Sequence, residues 1–124
     1  MVLGAVFGGA GVGAVVRQFL NERFAATSTT LHWGTLAANL IGGYLVGLAA
    51  GWFAQRPLLA PEWRLLAITG FLGGLTTFSA FSLELAGDVN QGRAGTALAL
   101  VAVQVGGSLV LTLLGLWSAR FLPA

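Results

Sequence analysis

Residues 70–84 of this chain read GFLGGLTTFSAFSLE: three glycines, two adjacent threonines, two serines and three phenylalanines inside an apolar run. The chemistry open to such a set is the handling of ions. Gly73 and Gly74 are poor for helix continuity, and Thr76 and Thr77 can bond their own backbone instead of the helix ladder. A helix broken there exposes carbonyl oxygens, which suit a cation, and amide N–H groups, which suit an anion. Phe78 and Phe81 are three residues apart, as are Ser79 and Ser82. If the segment after Thr77 is helical, the two rings share a face, and the edge of an aromatic ring carries partial positive charge. Taken alone, two phenylalanines are ordinary lipid-facing or core residues. The Gly-Gly-Leu-Thr-Thr run directly before them is what sets this pair apart.

Other polar residues lie inside apolar segments. Asn39, in ANLIGG, is either an interhelical hydrogen-bonding residue or an amide donor facing a polar pathway. Gln104, Ser108 and Thr112 recur every fourth residue, which puts three donors on one helix face. That stripe reads as a hydrated track or as packing glue. Glu84 follows the break by about two turns and Asp88 comes a turn later; both are expected close enough to the interface to be solvated. The sequence has no cysteine and one histidine, His32, so thiolate sites and single-chain multi-histidine metal sites are excluded. No nucleophile–base pair can be assembled, so enzymatic activity is not expected. The six basic residues are all arginine and scattered, which gives no nucleic-acid patch.

The elements that position these residues follow from composition. Of the 124 residues 56% are hydrophobic and 8% charged, with a mean hydropathy of +0.86. A soluble domain of this size carries about 25% charged residues. The chain is therefore read as an all-α integral membrane protein. Crossing a bilayer takes about 20 apolar residues in a helix, and four segments meet that need, at roughly 2–24, 31–54, 63–86 and 94–120. Four spans with short loops make one transmembrane domain of residues 1–124, the third helix being broken near its middle. Residues 25–30 (AATSTT) are a polar link able to cap the second helix, and Trp33 and Trp52 suit its two headgroup belts. Residues 55–61, with Pro57 and Pro61, read as a loop, and 87–92 (GDVNQG) as a turn. No basic region precedes the first apolar run, which is expected to be a retained helix rather than a signal peptide.

Glycine pairs at small-xxx-small spacing, Gly4/Gly8, Gly9/Gly13, Gly43/Gly47 and Gly47/Gly51, predict close helix packing in lipid. Residues 9–14 also satisfy a loose G-x-G-x-x-A nucleotide pattern, but that pattern needs a strand before it, and here it lies within a span. Four spans place Arg56, Arg64 and Arg120 on one side of the membrane and Arg17, Arg23 and Arg93 on the other. Equal numbers leave the positive-inside rule nothing to act on. Either Arg17 lies too deep to count, or lipid context decides, or the chain inserts in both orientations and pairs antiparallel.

The stretch GFLGGLTTFSAFSLE resembles the signature of the Fluc (CrcB) family of small bacterial fluoride channels, G-x-x-G-G-x-T-T-F-S-T-F-S-x-E. GAVVR at 13–17 and NLIGG at 39–43 match in the expected order, and the resemblance covers all four spans and essentially the whole length. It implies an antiparallel, dual-topology homodimer in the bacterial inner membrane that passively exports toxic fluoride. It also implies that Phe78 and Phe81 present ring edges to fluoride and that Asn39 donates from its amide. Ser108, Thr112 and Gln104, with Thr77 and Ser79, would complete the pathway. The carbonyls of Gly73 and Thr76 from both subunits would hold a structural sodium ion (Na+), while Arg17 and Glu84 would lie at the vestibules. Where the family often has Thr, this chain has Ala80, so one hydroxyl beside the pathway is missing.

Two other readings compete. A small proton-coupled drug exporter also has four helices, but its mechanism requires an acid embedded in the membrane, and the uncharged run of residues 2–16 has none. A purely structural helix-bundle subunit leaves the Thr/Phe/Ser cluster unexplained.

Overall fold

The computed structural model describes residues 2–24 and 32–123. Four helices are long and apolar enough to cross a membrane: α1 (Val2–Phe24), α2 (Trp33–Ala54), α3 (Pro61–Asn90) and α4 (Ala94–Phe121). The chain is a multi-pass, all-helical membrane protein. Its outward faces carry exposed large apolar side chains such as Leu3, Phe7 and Leu98, which in water would be an aggregation hazard and in lipid are matched to their solvent. The Ser/Thr link expected to cap α2 lies outside the described residues. His32, next to α2, makes no capping bond with its side chain.

Helix α3 extends beyond the 63–86 of the sequence reading at both ends. Pro61 stands in the first turn with Glu62 beside it, where the missing N–H costs nothing and the acid complements the helix dipole. At the far end the helix runs through Gly87 and Asp88 to Asn90, and the turn is confined to residues 91–93. Gly92 has φ +79°. The Arg93 amide donates to the Asp88 carbonyl at 2.7 Å and the Gly92 amide to the Val89 carbonyl at 3.1 Å, a Schellman ending that needs glycine at its left-handed position. Arg93 then turns its guanidinium back onto Asp88 Oδ1, at 2.7 and 3.1 Å. Asp88 is therefore 1% exposed and not solvated as its sequence position implied, because the arginine five residues on closes over it.

Small residues decide which helices meet. Gly9 and Gly13 of α1 face the backbone of α3 at Leu66, Phe71 and Leu75, and Gly43 and Gly47 of α2 face α4 at Ser108 and Thr112. A Cβ on Gly13 or Gly47 would fall on those backbones. Residue numbers rise together in both pairs, so α1 runs parallel to the first half of α3, and α2 runs parallel to α4. Gly8, in contrast, has no atom within 4 Å of where a Cβ would stand. The Gly4/Gly8 spacing is thus not a packing seam between helices of this chain. The innermost apolar cluster, Ala38, Leu72 and Leu75, lies between α2 and the end of the first half of α3.

Two segments widen to π-helical turns, Leu65–Leu72 in α3 and Ala102–Gly106 in α4. Such turns recur at functional sites. Both contribute to one cavity, Ile68 and Leu72 from the first, Gln104 and Val105 from the second.

Candidate functional site: a broken helix beside a central cavity

The break in α3 falls at Thr76 and Thr77, whose backbones are extended (ψ 155° and 123°) between Gly73–Leu75 and the helix that starts at Phe78. Its polar groups can be followed one by one. In an unbroken helix the Thr77 amide would bond the Gly73 carbonyl; here it donates to Asn39 Oδ1 at 2.8 Å. The Ala80 amide would bond the Thr76 carbonyl; here it donates to Thr77 Oγ1 at 3.2 Å, so Thr77 serves as N-cap of the second half-helix. The Thr77 carbonyl accepts from Asn39 Nδ2 at 3.0 Å. The Gly74 carbonyl accepts from Arg17 Nε at 3.1 Å. The Thr76 hydroxyl folds back to the Leu72 carbonyl at 2.9 Å. Unwound backbone at membrane depth must be satisfied by protein or line a cavity; here it does both.

The cavity has a volume of about 470 Å³ and is walled by α2 at Asn39 and Gly43, by the break at Gly73 and Thr76, and by α4 at Gln104 and Ser108. Phe78 and Phe81 close one side. Their centroids are 5.9 Å apart with planes at 73°, an edge-to-face pair, so the rings do share a face. Phe81 is 4% exposed and Phe78 76% exposed within one chain. Ser79 is exposed, with its Oγ 3.2 Å from Thr77 Oγ1.

The α4 stripe of Gln104, Ser108 and Thr112 runs along Asn39, Gly43 and Gly47 of α2, position for position. Asn39 Nδ2 donates to Gln104 Oε1 at 2.8 Å. The Thr112 hydroxyl lies 2.8 Å from the Gly43 carbonyl and 2.9 Å from the Ser108 carbonyl, so its proton stays on backbone. Arg17 reaches the break through its Nε, which donates to the Gly74 carbonyl. Glu84 is half-buried, its Oε2 accepting from Thr35 Oγ1 at 2.6 Å with His32 Nδ1 at 3.8 Å.

A family model described as "CrcB-like protein, Camphor Resistance (CrcB)" matches residues 4–116. The chain belongs to the CrcB-like family. Its relatives include a protein of Cupriavidus metallidurans named "Fluoride-specific ion channel FluC", 52% identical over 118 residues that cover 95% of this chain and 94% of the relative. Proteins of the same name from Pseudomonas paraeruginosa and Burkholderia pseudomallei are 52% and 53% identical over 114 and 116 residues. These cover 92% and 94% of this chain, and 90% and 91% of the relatives. They are named as ion channels, not as enzymes.

In this CrcB-like chain three participants escaped the sequence reading. Thr35 holds Glu84 with His32 close by at 3.8 Å, and Thr35 sits one turn before Asn39 on the same face of α2, a spacing that signals a second polar position. Gly74 is poor for helix continuity, and its carbonyl is also the anchor for Arg17. No sequence feature pairs Arg17 with a carbonyl 57 residues away. Among the described residues no group of three or more acidic or histidine side chains is placed to hold a metal ion.

Proposed function

We propose that this chain forms a fluoride channel of the bacterial inner membrane, two copies pairing antiparallel so that each copy's break and cavity face the other's. The observation that carries the reading is the break at Thr76–Thr77, stitched to Asn39 and Arg17 beside a cavity closed by an edge-to-face phenylalanine pair. The names of the relatives supply the ion. Fluoride is small and tightly hydrated, so a pore must replace its water with dense donors, since an uncompensated buried charge is prohibitively costly. Ring edges of Phe78 and Phe81, side-chain amides and the hydroxyls of Ser79, Thr77 and Ser108 meet that need without a fixed charge in the cavity. Conduction also requires that the ion leave again, which neutral donors allow. In this reading Thr112 shapes the α4 wall through its backbone-bound hydroxyl, and Arg17 and Glu84 flank the approaches.

A structural sodium ion fits the carbonyls of Gly73 and Thr76. Both lose the amide an unbroken helix would give them, and Gly73 is exposed on the face where a second copy would sit. Oxygen donors without a formal charge suit a hard monovalent cation, and the bound ion would supply the positive charge that ties two such faces together.

Fluoride efflux from liposomes holding the purified protein, with chloride as control, tests the reading. Fluoride release well above empty liposomes, with chloride retained, is the expected result. Release no faster than from empty liposomes would remove the proposal.

A further inference from the structure

The two ends of the bundle differ in charge. The end where α2 and α4 finish and α3 starts carries Arg56, Arg64 and Arg120 against one acid, Glu62. The other half carries Arg17, Arg23 and Arg93 against Glu22, Glu84 and Asp88. The chain's net charge of +2 is thus gathered at one end. Among the described residues no acid pairs with Arg56, Arg64 or Arg120; the paired carboxylates, Asp88 and Glu84, lie in the balanced half.

An apolar groove opens beside these arginines. Leu45, Ala49 and Trp52 of α2, Ala67 and Phe71 of α3, and Leu122 line a space of about 360 Å³. From Trp52 to Leu45 it reaches about 10 Å along the helix, from the headgroup level that suits Trp into hydrocarbon. The guanidinium of Arg56 lies 3.9 Å from the centre of the Trp52 ring, so a cation is fixed on one wall. It donates to the carbonyls of Trp52 and Pro123, and Gln55 Nε2 donates to the Ala119 carbonyl at 3.2 Å. These bonds hold the end of the chain against α2, where Leu122 joins the lining. A guanidinium has five N–H donors, so Arg56 keeps donors to spare. Arg64 stands one turn before Ala67 and is exposed, as is Arg120.

Helix α2 turns a different face, Gly42, Gly43 and Val46, to the central cavity. A second copy seated over that cavity leaves the groove to lipid. An unfilled space in a membrane-facing wall forfeits dispersion contacts, and acyl chains are what a bilayer supplies at this depth. The arginines beside it call for an anion, and guanidinium–phosphate bonds are charge-assisted and bidentate. A zwitterionic headgroup would bring its own cation to an end that is already positive. We propose that the groove binds an anionic phospholipid, one acyl chain lying along Leu45, Ala49 and Phe71 and the phosphate meeting Arg56, flanked by Arg64 and Arg120. The site needs only the membrane setting and holds whatever ion the cavity passes.

Native mass spectrometry of the purified protein in detergent, titrated with phosphatidylglycerol or phosphatidylcholine, tests this. Phosphatidylglycerol should be retained well above phosphatidylcholine, one molecule per chain. Arg64→Gln and Arg120→Gln should each weaken its retention about fivefold, the scale of one basic residue near a charged surface. Ala49→Phe, which fills the groove without touching a charge, should weaken it as well. Equal retention of the two lipids would overturn the proposal, as would unchanged retention in the three variants. Glycerol 3-phosphate matching the lipid in raising the melting temperature would also overturn it, by showing a phosphate site without a chain. A phosphatidylglycerol carrying a photoactivatable acyl chain decides on the wild type alone if the variants fail to fold. It should label residues 45–53; labelling confined to other segments would overturn the site, and zero-length crosslinks between two chains at these residues would give the groove to a second copy instead.

Discussion

The hydroxyl of Thr77 starts the second half of α3 by accepting the Ala80 amide. Replacing an N-cap threonine by alanine costs about 1 kcal/mol, so Thr77→Ala should unfold at a lower temperature than the wild type while Thr77→Ser stays near it. Thermal unfolding in detergent reads this directly. Phe81, buried against the cavity with its ring set edge-to-face to Phe78, should lose its polarised edge on Phe81→Ile. Fluoride flux is then expected to fall while the dimer remains assembled; normal flux would argue against a ring-edge role. At this scale the sequence was legible where residue type dictates backbone behaviour. The Gly73–Thr77 run announced its break because glycine and threonine disfavour a continuous ladder locally. It was not legible where long-range partners decide. Asn39 reads equally as interhelical glue or as a pathway donor because nothing in a sequence says which of its hydrogens are taken, and Asp88 reads as solvated because Arg93 reaches it only through the fold.

Each helix is placed by a few close approaches. A side chain on Gly47 would meet the α4 backbone at Thr112, whereas Gly8 faces open space. Gly47→Val should therefore lower stability by at least the 1–3 kcal/mol typical of overpacking, about that order, and Gly8→Val should be near neutral for the folded chain. Melting temperatures of the two variants side by side check the contrast. The α3–α4 connection is held by the Schellman turn and by Arg93 on the buried Asp88. Asp88→Asn should cost about 2 kcal/mol, between the values of exposed and buried pairs, and is read by the same assay. The spans were legible because about 20 uncharged residues have few other uses. Their partners were not. GxxxG spacing is equally present at Gly4/Gly8 and Gly43/Gly47, and only the packed chain separates the seam from the face turned outward. The π-helical turns left no trace in the spacing either, since LLAITGFL and AVQVG read as ordinary apolar helix.

For the whole molecule, the two parallel helix pairs leave the break, the cavity and the exposed ring of Phe78 on a face that one chain does not cover. The proposed second copy, bound through sodium, makes two predictions. Replacing sodium by a bulky organic cation should shift the protein toward monomer in size-exclusion chromatography; an unchanged dimer would count against a cation at Gly73 and Thr76. Single-cysteine labelling from each side of the membrane should find both orientations, and one uniform orientation would end the antiparallel arrangement. The stitching of Thr77 to Asn39 also bears on biogenesis. A ribosome delivers α2 to the bilayer before α3, so the side chain that mends the broken helix is already in place when the gap arrives. A chain rearranged to deliver α3 first would bring the unwound residues into lipid with no mate, at several kcal/mol for each unsatisfied group. The order in which the helices are encoded is thus part of how the protein gets built, and a circular permutant opened between α2 and α3 should integrate poorly even though its finished contacts are the same.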